Sequence, residues 1–353
     1  MNEKRLFEPT PEQFGVFWKY ISIPTVTDID YNGKNLWITD FERGRYRADE
    51  SLTEDFIGTF TNNIANASNG YYNDAHQVLE ADTKELRISI LHPVIATSGV
   101  SICIRKSPAL VRNTIESMLK EKYIPEDFIQ LLINCVRTRM NFVFGGEPGA
   151  GKTECAKFFM KFIPDEDRVI TIEDSLEIHY STIKPEADSV EIRVSDTFSY
   201  KDAIKACMRQ NPTWLMLSEA RSTEVTNLIE EWSTGACGFT TIHLDDLRKL
   251  PDRIQNMMND VNDADRMENR IYEYVNIGIL IKKRECENGK THREVDQLCF
   301  YTRENGENKC TMLIKDGKVI SREIPEDIKI KLRKADIEDP FKCPDFDKLK
   351  KEK

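Results

Sequence analysis

The sequence predicts an α/β protein in which a larger C-terminal domain follows a smaller α+β N-terminal domain. Three observations predict this architecture. A chain of 353 residues is long enough for two domains that each bury a core. Beyond Asn141, strand-like apolar runs alternate with helical stretches, which is typical of a largely parallel sheet covered by helices. Before Arg105, short β-like runs instead follow one another between turn residues, with one helical stretch among them.

The composition excludes several classes of protein. Hydrophobic residues make up 40% and charged residues 31% of the chain, so it is neither collagenous nor wholly disordered. The formal net charge of −10 argues against a surface built mainly for nucleic acid, because phosphate binding draws on clustered Lys and Arg. No apolar run approaches the roughly 18 residues of a membrane span, and the polar N-terminus lacks a signal segment. The nine cysteines form no CxxC pair, which argues against a disulfide framework or a zinc site. We therefore expect a soluble cytoplasmic protein.

The N-terminal α+β domain is expected over residues 1–105. Asn32-Gly33 is a strong hairpin turn signal between two β-like runs. Ser51 and Glu54 have the spacing of a capping box and predict that a helix begins there. The strand-like runs of this domain occupy 26–31, 36–39, 86–91 and 100–105.

A linker or hinge is expected over residues 106–124, where the pattern is helical and charged. The larger domain is expected over 125–341, beginning with Pro125 as the first residue of a helix. The apolar face of that helix comprises Phe128, Leu131, Leu132 and Cys135. Strand-like runs then follow at 141–145, 168–173, 190–194, 213–218 and 239–243.

Hairpin-like strands are predicted after Val275, with turns at Asn288-Gly289 and Asp316-Gly317. Residues 342–353 are rich in lysine and poor in apolar side chains, so we expect a solvated tail.

The most informative motif is a glycine-rich loop between a β-like run and a helical stretch. Gly146-x4-Gly151-Lys152-Thr153 fits the phosphate-loop pattern, in which successive backbone N–H groups and a helix N-terminus surround a phosphate. Lys152 would neutralise the β- and γ-phosphates, and the Thr153 hydroxyl would be a ligand of Mg²⁺. Glu147 is a poor charge to place near phosphates, so we expect it to point outward. The alternative is an accidental glycine-rich turn.

Further polar side chains follow strand-like runs, at the edge where open α/β sheets bind their ligands. One run ends in Glu173-Asp174, the next in Ser218-Glu219, and a third in His243. A carboxylate beside the phosphate loop can hold Mg²⁺ or orient the attacking water. The alternatives are that Glu173 and Glu219 are ordinary surface glutamates and that His243 is a structural histidine.

In order and spacing, these motifs resemble those of the secretion or "traffic" ATPases of type IV secretion, type II secretion and type IV pilus systems. The blocks are GGEPGAGKT (145–153) as Walker A, ITIEDSLEI (170–178) as the Asp box, MRQNPTWLMLSEAR (208–221) as Walker B, and TGACGFTTIH (234–243) as the His box. The likeness is strongest to conjugation-type and tight-adherence pilus ATPases. It implies a RecA-like P-loop NTPase domain after the smaller N-terminal domain, with ATP and Mg²⁺ as cofactors.

The resemblance also implies roles for individual residues. Glu219 would polarise the attacking water, Glu173 would assist it or hold the metal shell, and Lys152 and His243 would complete the catalytic set. Thr153, Glu173 and Glu219 would face the metal. The nucleotide-binding residues would be Gly146, Glu147, Pro148, Gly149, Ala150, Gly151, Lys152, Thr153, Glu154, Arg87, Arg105, Arg193 and Arg209. Guanidinium groups neutralise a loose phosphoryl-transfer transition state well. The alternative for each arginine is a surface ion pair.

Two positions depart from the family pattern. Ala236 stands where the His box usually has its first histidine, and Ser218 replaces the usual Gly before the Walker B glutamate. Neither change removes a group that phosphoryl transfer needs.

The resemblance implies a ring-forming motor, a hexamer as in the family, of the type found in conjugative secretion. It would work at the cytoplasmic face of a membrane with inner-membrane components. The alternatives are a pilus-assembly or type II secretion ATPase and a nucleotide-binding scaffold with little turnover. Direct sequence-specific binding of nucleic acid is not expected, since no base-stacking or basic-groove motif is present.

Overall fold

The computed structural model describes residues 5–195, 197–258, 264–285 and 291–351. The chain divides into two compact units. The N-terminal unit holds the described residues up to Ala109, residues 175–177, Glu285 and Thr291; the C-terminal unit holds the remainder.

The N-terminal unit is an antiparallel sheet with helices. Its helices are α1 (Pro11–Phe14), α2 (Val16–Ile21) and α3 (Glu54–Ser68). Its strands are β1 (Val26–Asn32), β2 (Leu36–Asp40), β3 (Gly44–Arg47), β4 (Val78–Asp82), β5 (Leu86–Leu91) and β6 (Ser101–Lys106). The described strands lie in the order β3-β2-β1-β6-β5-β4, and each neighbouring pair is antiparallel. Phe14, Phe17 and Phe60 pack edge to face in the core of this unit.

The predicted capping box at Ser51 is wrong by two residues. Thr53 is the N-cap of α3, and its hydroxyl accepts a hydrogen bond from the Phe56 N–H at 3.2 Å. Glu54 lies in the first helical turn rather than three positions into the helix. Ser and Thr are both favoured N-caps, so a pair of them two residues apart leaves the start of the helix open in the sequence.

The C-terminal unit contains one large sheet between helices. Its helices are α4 (Ile115–Lys120), α5 (Glu126–Arg137), α6 (Lys152–Met160), α7 (Tyr180–Ile183), α8 (Tyr200–Cys207), α9 (Glu224–Ser233), α10 (Leu250–Gln255), α11 (Ala264–Tyr274), α12 (Glu326–Arg333) and α13 (Phe346–Leu349), with a 3₁₀ turn at Leu247–Lys249. Its strands are β7 (Phe142–Gly146), β8 (Val169–Glu173), β9 (Ser189–Arg193), β10 (Trp214–Ala220), β11 (Phe239–Ile242), β12 (Ile277–Glu285), β13 (Thr291–Glu304), β14 (Glu307–Lys315) and β15 (Lys318–Val319).

The strand order places the phosphate loop near the middle of this sheet. Over the described residues the order is β15-β14-β13-β12-β7-β11-β10-β8-β9. The successive pairs β12–β7, β7–β11, β11–β10, β10–β8 and β8–β9 are parallel. The pairs β13–β14 and β14–β15 are antiparallel. The prediction of a largely parallel sheet followed by hairpin-like strands is confirmed. Asp316-Gly317 forms the predicted turn, while Asn288-Gly289 lies outside the described residues.

Helices cover both faces of the parallel strands, which explains their near-continuous apolar sequences. Phe142 and Phe144 of β7 pack into one core with α5 and α6. Val143, between them, packs into a second core with α8, α9, α10 and α11. Successive side chains of a strand point to opposite faces, so β7 must be apolar throughout.

Most of the predicted linker belongs to the C-terminal unit. The division falls between Ala109 and Leu110, and Ile115, Met118 and Ile124 are buried in the same core as α5. Ile115, Met118 and Ile124 attach most of residues 110–124 to this core, whereas Leu110, at the division itself, is exposed. Pro125 lies just before α5 as its N-cap.

The expectation of a solvated tail at 342–353 is wrong for the residues described. Phe346 and Cys343 are buried, and Arg137 of α5 makes a bidentate ion pair with Asp345 at 2.7 and 2.8 Å. The side-chain amide of Asn134 donates to the carbonyl oxygen of Lys342 at 2.9 Å and to that of Pro340, just before this segment, at 3.0 Å. A few apolar side chains and good hydrogen bonds dock a segment whose overall composition is polar.

Candidate nucleotide-binding site

The glycine-rich loop connects the end of β7 to the start of α6, as the motif requires. Gly149 and Gly151 have φ values of +73° and +95°, in the left-handed region that favours glycine, and Gly151 is the N-cap of α6. A Cβ on Gly146 would lie 2.6 Å from the carbonyl oxygen of Ile281 on β12. Glu147 is exposed, in agreement with the prediction that it points outward.

Lys152 turns back over the loop from the first position of α6. Its Nζ donates to the carbonyl oxygens of Gly146 and Glu147, both at 3.2 Å, and lies 3.2 Å from Nδ1 of His243. The ammonium group is thereby held at the mouth of the loop. This is the position from which a phosphate-loop lysine reaches β- and γ-phosphates.

His243 connects the loop to the predicted catalytic glutamate. Its Nδ1 lies 3.2 Å from the Gly146 carbonyl oxygen, and its Nε2 lies 2.7 Å from Oε1 of Glu219. β11, which precedes His243, lies between β7 and β10 in the sheet, so His243 lies between the loop that follows β7 and Glu219 on β10. The structure therefore brings Lys152, His243 and Glu219 together, and His243 is more than a histidine of the core.

Arg221 and Asp174 extend this chain of polar contacts. Nη2 of Arg221 lies 2.7 Å from Oε2 of Glu219, and Nη1 lies 2.6 Å from Oδ2 of Asp174. Burial lowers the pKa of Arg221, but the two carboxylates outweigh it, so the pKa is raised. Arg221 has no role among the sequence-based predictions. Its position two residues beyond Glu219 was a usable signal, because residues two apart on an extended chain face the same side.

Glu173 directly precedes Asp174. It ends β8 and is buried, and its Oε1 accepts a hydrogen bond from the Ile178 N–H at 3.1 Å. Burial lowers the pKa of Lys157 on α6, while the carboxylates of Glu154 and Glu173 raise it. Glu173 is thus electrostatically linked to the helix that follows the loop. Its role at the metal or the attacking water stays a prediction.

The start of α6 carries the other residues predicted to bind nucleotide and metal. Thr153 is the second residue of the helix. The side chain of Glu154 lies 3.6 Å from the buried Lys157 ammonium and accepts from the Arg112 N–H at 3.4 Å. Lys157 is absent from the sequence-based predictions, since a single Lys in a helical run gives no sign of its burial.

The predicted arginines lie in different places. Arg87 and Arg105 are cross-strand partners on β5 and β6, and Arg105 pairs with Asp28 at 2.9 Å in the N-terminal unit. In the C-terminal unit, Nε of Arg193 donates to the Asp174 carbonyl oxygen at 3.4 Å. Arg209 is exposed just after α8. That these four arginines bind phosphate stays a prediction.

A protein-family model described as "Type II/IV secretion system protein" matches residues 73–333. The chain belongs to this family. Over 265 residues it is 27% identical to an uncharacterized protein of Bacillus anthracis. The aligned region covers 74% of this chain and 59% of the Bacillus anthracis protein. Over 170 residues it is 29% identical to the conjugal transfer protein TrbB of Rhizobium radiobacter, covering 46% of this chain and 50% of TrbB. The chain thus spans about half the length of these curated relatives.

Solved structures confirm the fold class predicted for this family member. The Legionella pneumophila ATPase DotB matches with a TM-score of 0.59 and 17% identity, over 83% of each chain. At that identity the likeness shows the fold, a two-domain α/β architecture with a phosphate loop. No helix among the described residues is both long and apolar enough to cross a bilayer.

The residues at the loop fit a nucleotide with Mg²⁺. Gly149 and Gly151 give the loop backbone the left-handed conformations that let it curve, and Lys152 supplies a positive charge at its mouth. A hydroxyl at Thr153 and a carboxylate at Glu219 are oxygen ligands, which Mg²⁺ prefers; it usually binds one or two such side chains together with phosphates. In this family member, these residues would hold the metal and the phosphates.

Proposed function

We propose that this protein is a Mg²⁺-dependent ATPase that works as a ring, most simply a hexamer, and powers a type IV secretion machine of the conjugative kind. The observation that supports this most is the contact chain from Lys152 through His243 to Glu219. It joins the phosphate-binding loop, which follows β7, to the Glu219 carboxylate on β10, with β11 between the two strands. Membership of the secretion family and the likeness to a conjugal transfer protein support the setting.

Lys152, His243 and Glu219 would each perform a separate task. Lys152 would move from the loop carbonyls to the β- and γ-phosphates, because an anion is a better partner for its ammonium group than two carbonyl oxygens. Glu219 would orient a water and accept its proton as the γ-phosphate is transferred. His243 would hold the Glu219 carboxylate near the loop. Bound Mg²⁺ would neutralise charge that develops on the β- and γ-phosphates.

We further propose that Arg87 and Arg105 approach the phosphates from the N-terminal unit, as the resemblance implies. Closure of that unit around ATP and its reopening after hydrolysis would then drive inner-membrane components at the cytoplasmic face. Ligand binding can only shift such an equilibrium through different contacts in the two states, and γ-phosphate contacts would provide that difference.

The first prediction concerns the substitution Glu219→Gln. We expect it to retain ATP binding and to lower turnover by about a hundredfold or more, because an amide cannot accept the proton of the attacking water. Steady-state phosphate release and equilibrium nucleotide binding measure the two quantities. Glu230→Gln, which changes an exposed carboxylate paired with Arg270, is the matched control and should turn over as wild type does.

Equal and slow phosphate release by wild type and Glu219→Gln would refute the motor and favour the scaffold alternative. A pilus-assembly ATPase of the same family would give the same biochemical result as a conjugation ATPase. Neighbouring genes distinguish these two, since relaxase and coupling-protein genes accompany conjugation and prepilin genes accompany a pilus.

A further inference from the structure

An arginine outside every family motif lies against the phosphate loop. Arg293 is near the start of β13, and its Cδ and Nε lie 3.3 and 3.6 Å from the position that a Cβ on Gly151 would take. Gly151 is the last loop residue before Lys152 and the N-cap of α6. The Arg293 side chain therefore runs along the loop backbone where α6 begins.

The surroundings of Arg293 leave its charge poorly compensated. The side chain is half-buried, and in the part of the chain that the structure describes, no hydrogen bond or ion pair engages its guanidinium. Burial lowers the pKa of Arg293 and the positive charge of Arg112 adds to this, while Tyr123, Glu121 and Glu154 only partly oppose it. The nearby Glu154 carboxylate lies 3.6 Å from the Lys157 ammonium instead. A cation held partly out of water in this way favours an incoming anion.

The position along the loop indicates which part of an anion Arg293 would meet. Lys152 Nζ is directed to the beginning of the loop, where it contacts the carbonyls of Gly146 and Glu147. A phosphate-loop lysine reaches the β- and γ-phosphates, while the backbone N–H groups surround the α- and β-phosphates. Arg293 lies instead at the end of the loop, beside Gly151.

We infer that Arg293 is a nucleotide-binding residue whose guanidinium pairs with the α/β end of the phosphate chain of a nucleoside di- or triphosphate. This inference rests on the proposed function, because it requires that the loop binds a nucleotide. It adds a cation from β13, beyond the Walker A lysine and the arginines that the resemblance implies.

The test measures the affinity of the full-length protein for ADP and for inorganic pyrophosphate, by competition with a fluorescent ADP analogue. Arg293→Gln should weaken both ligands about tenfold or more, which is the usual effect of losing one charge-assisted contact. Arg293→Lys should recover part of the loss, since it keeps the charge but not the fork. Arg322→Gln, an exposed arginine paired with Asp127, is the matched control and should bind both ligands as wild type does.

The outcomes separate this inference from the proposed function. If wild type binds ADP and Arg293→Gln binds it equally well, the inference is wrong while the proposed function stands. If Arg293→Gln weakens ADP but not pyrophosphate, the arginine contacts the base or ribose, and the phosphate assignment is wrong. If wild type binds no nucleotide, both proposals fail. Unchanged thermal unfolding of Arg293→Gln without ligand would show that the loss of affinity is not a loss of fold.

Discussion

Arg221 joins two acidic side chains that come from different strands. Glu219 belongs to β10 and Asp174 follows β8, and the guanidinium contacts both at 2.6–2.8 Å. A planar fork of this kind fixes the rotamer of a carboxylate more tightly than a point charge does. We therefore regard Arg221 as a positioning residue for Glu219.

The second prediction follows from this geometry. Arg221→Gln should lower kcat about ten- to a hundredfold with little change in nucleotide affinity, because a small displacement of the proposed catalytic carboxylate, Glu219, is costly. Arg221→Lys should recover only part of the rate. The matched control is Arg270→Gln on α11, which removes an ion pair to Glu230 away from the loop. A parallel loss of nucleotide binding and thermal stability would instead indicate a general structural role.

The third prediction, also at the residue scale, concerns the Arg137–Asp345 pair. The bidentate contact with Arg137 lowers the pKa of Asp345, despite an opposing effect of burial. A carboxyl whose pKa is lowered by folding stabilises the folded state above its unfolded pKa of about 3.9, and this contribution is lost as the pH falls through the folded pKa.

Asp345→Asn should therefore lower the free energy of unfolding by about 1 kcal/mol at neutral pH, since both partners are partly exposed to solvent. Urea unfolding at a series of pH values measures the difference between mutant and wild type. The difference should shrink below about pH 4. A difference that stays constant down to pH 2–3 would contradict the assignment.

At the scale of elements, the close approach of β10 and the segment before β11 depends on one glycine. A Cβ on Gly238 would lie 1.9 Å from the Leu215 carbonyl oxygen and 2.7 Å from Nε1 of Trp232. The first contact is with the backbone of a central strand, and displacing that backbone would cost free energy. The same segment is held from the other side, where the Gly238 N–H donates to the Asn141 side chain at 2.9 Å.

The fourth prediction is that Gly238→Ala lowers the free energy of unfolding by about 3 kcal/mol or more, at the upper end of the range for overpacking. Gly58→Ala is the matched control, because nothing lies within 4 Å of its added Cβ in α3. That change should be neutral or stabilising by up to about 1 kcal/mol. Denaturant unfolding of both variants tests the pair, and equal stability of the two would refute the argument.

At the scale of the whole molecule, the sequence predicted the parts whose signal is local. The parallel strands were predicted because burial on both faces makes their sequences nearly all apolar, as in β7 and β8. The phosphate loop was predicted because its glycines, Lys152 and Thr153 are contiguous in the chain. Glu219 and His243 were predicted because each lies at the carboxyl end of an apolar strand, the edge at which such sheets bind ligands.

The parts that were missed depend on contacts between distant segments. Arg293 meets Gly151 only because β13 lies two strands from β7, on the far side of β12, an order that the sequence does not state. The packing of the C-terminal segment was missed because its few apolar side chains, such as Phe346, stand among lysines. Which residue contacts which across a sheet is decided by strand order and register, and neither is a property of a single motif.

The pairing of β12 with β7 has a consequence for synthesis of the protein. Phe142 and Ile277 are register partners although they lie 135 residues apart in the chain. At roughly 5–20 residues per second, a ribosome needs about 7–27 s to make that intervening stretch. During this interval the strand that leads into the phosphate loop lacks its β12 neighbour and presents an unpaired edge. We expect chaperones to be required by nascent chains whose synthesis pauses before β12 has been made.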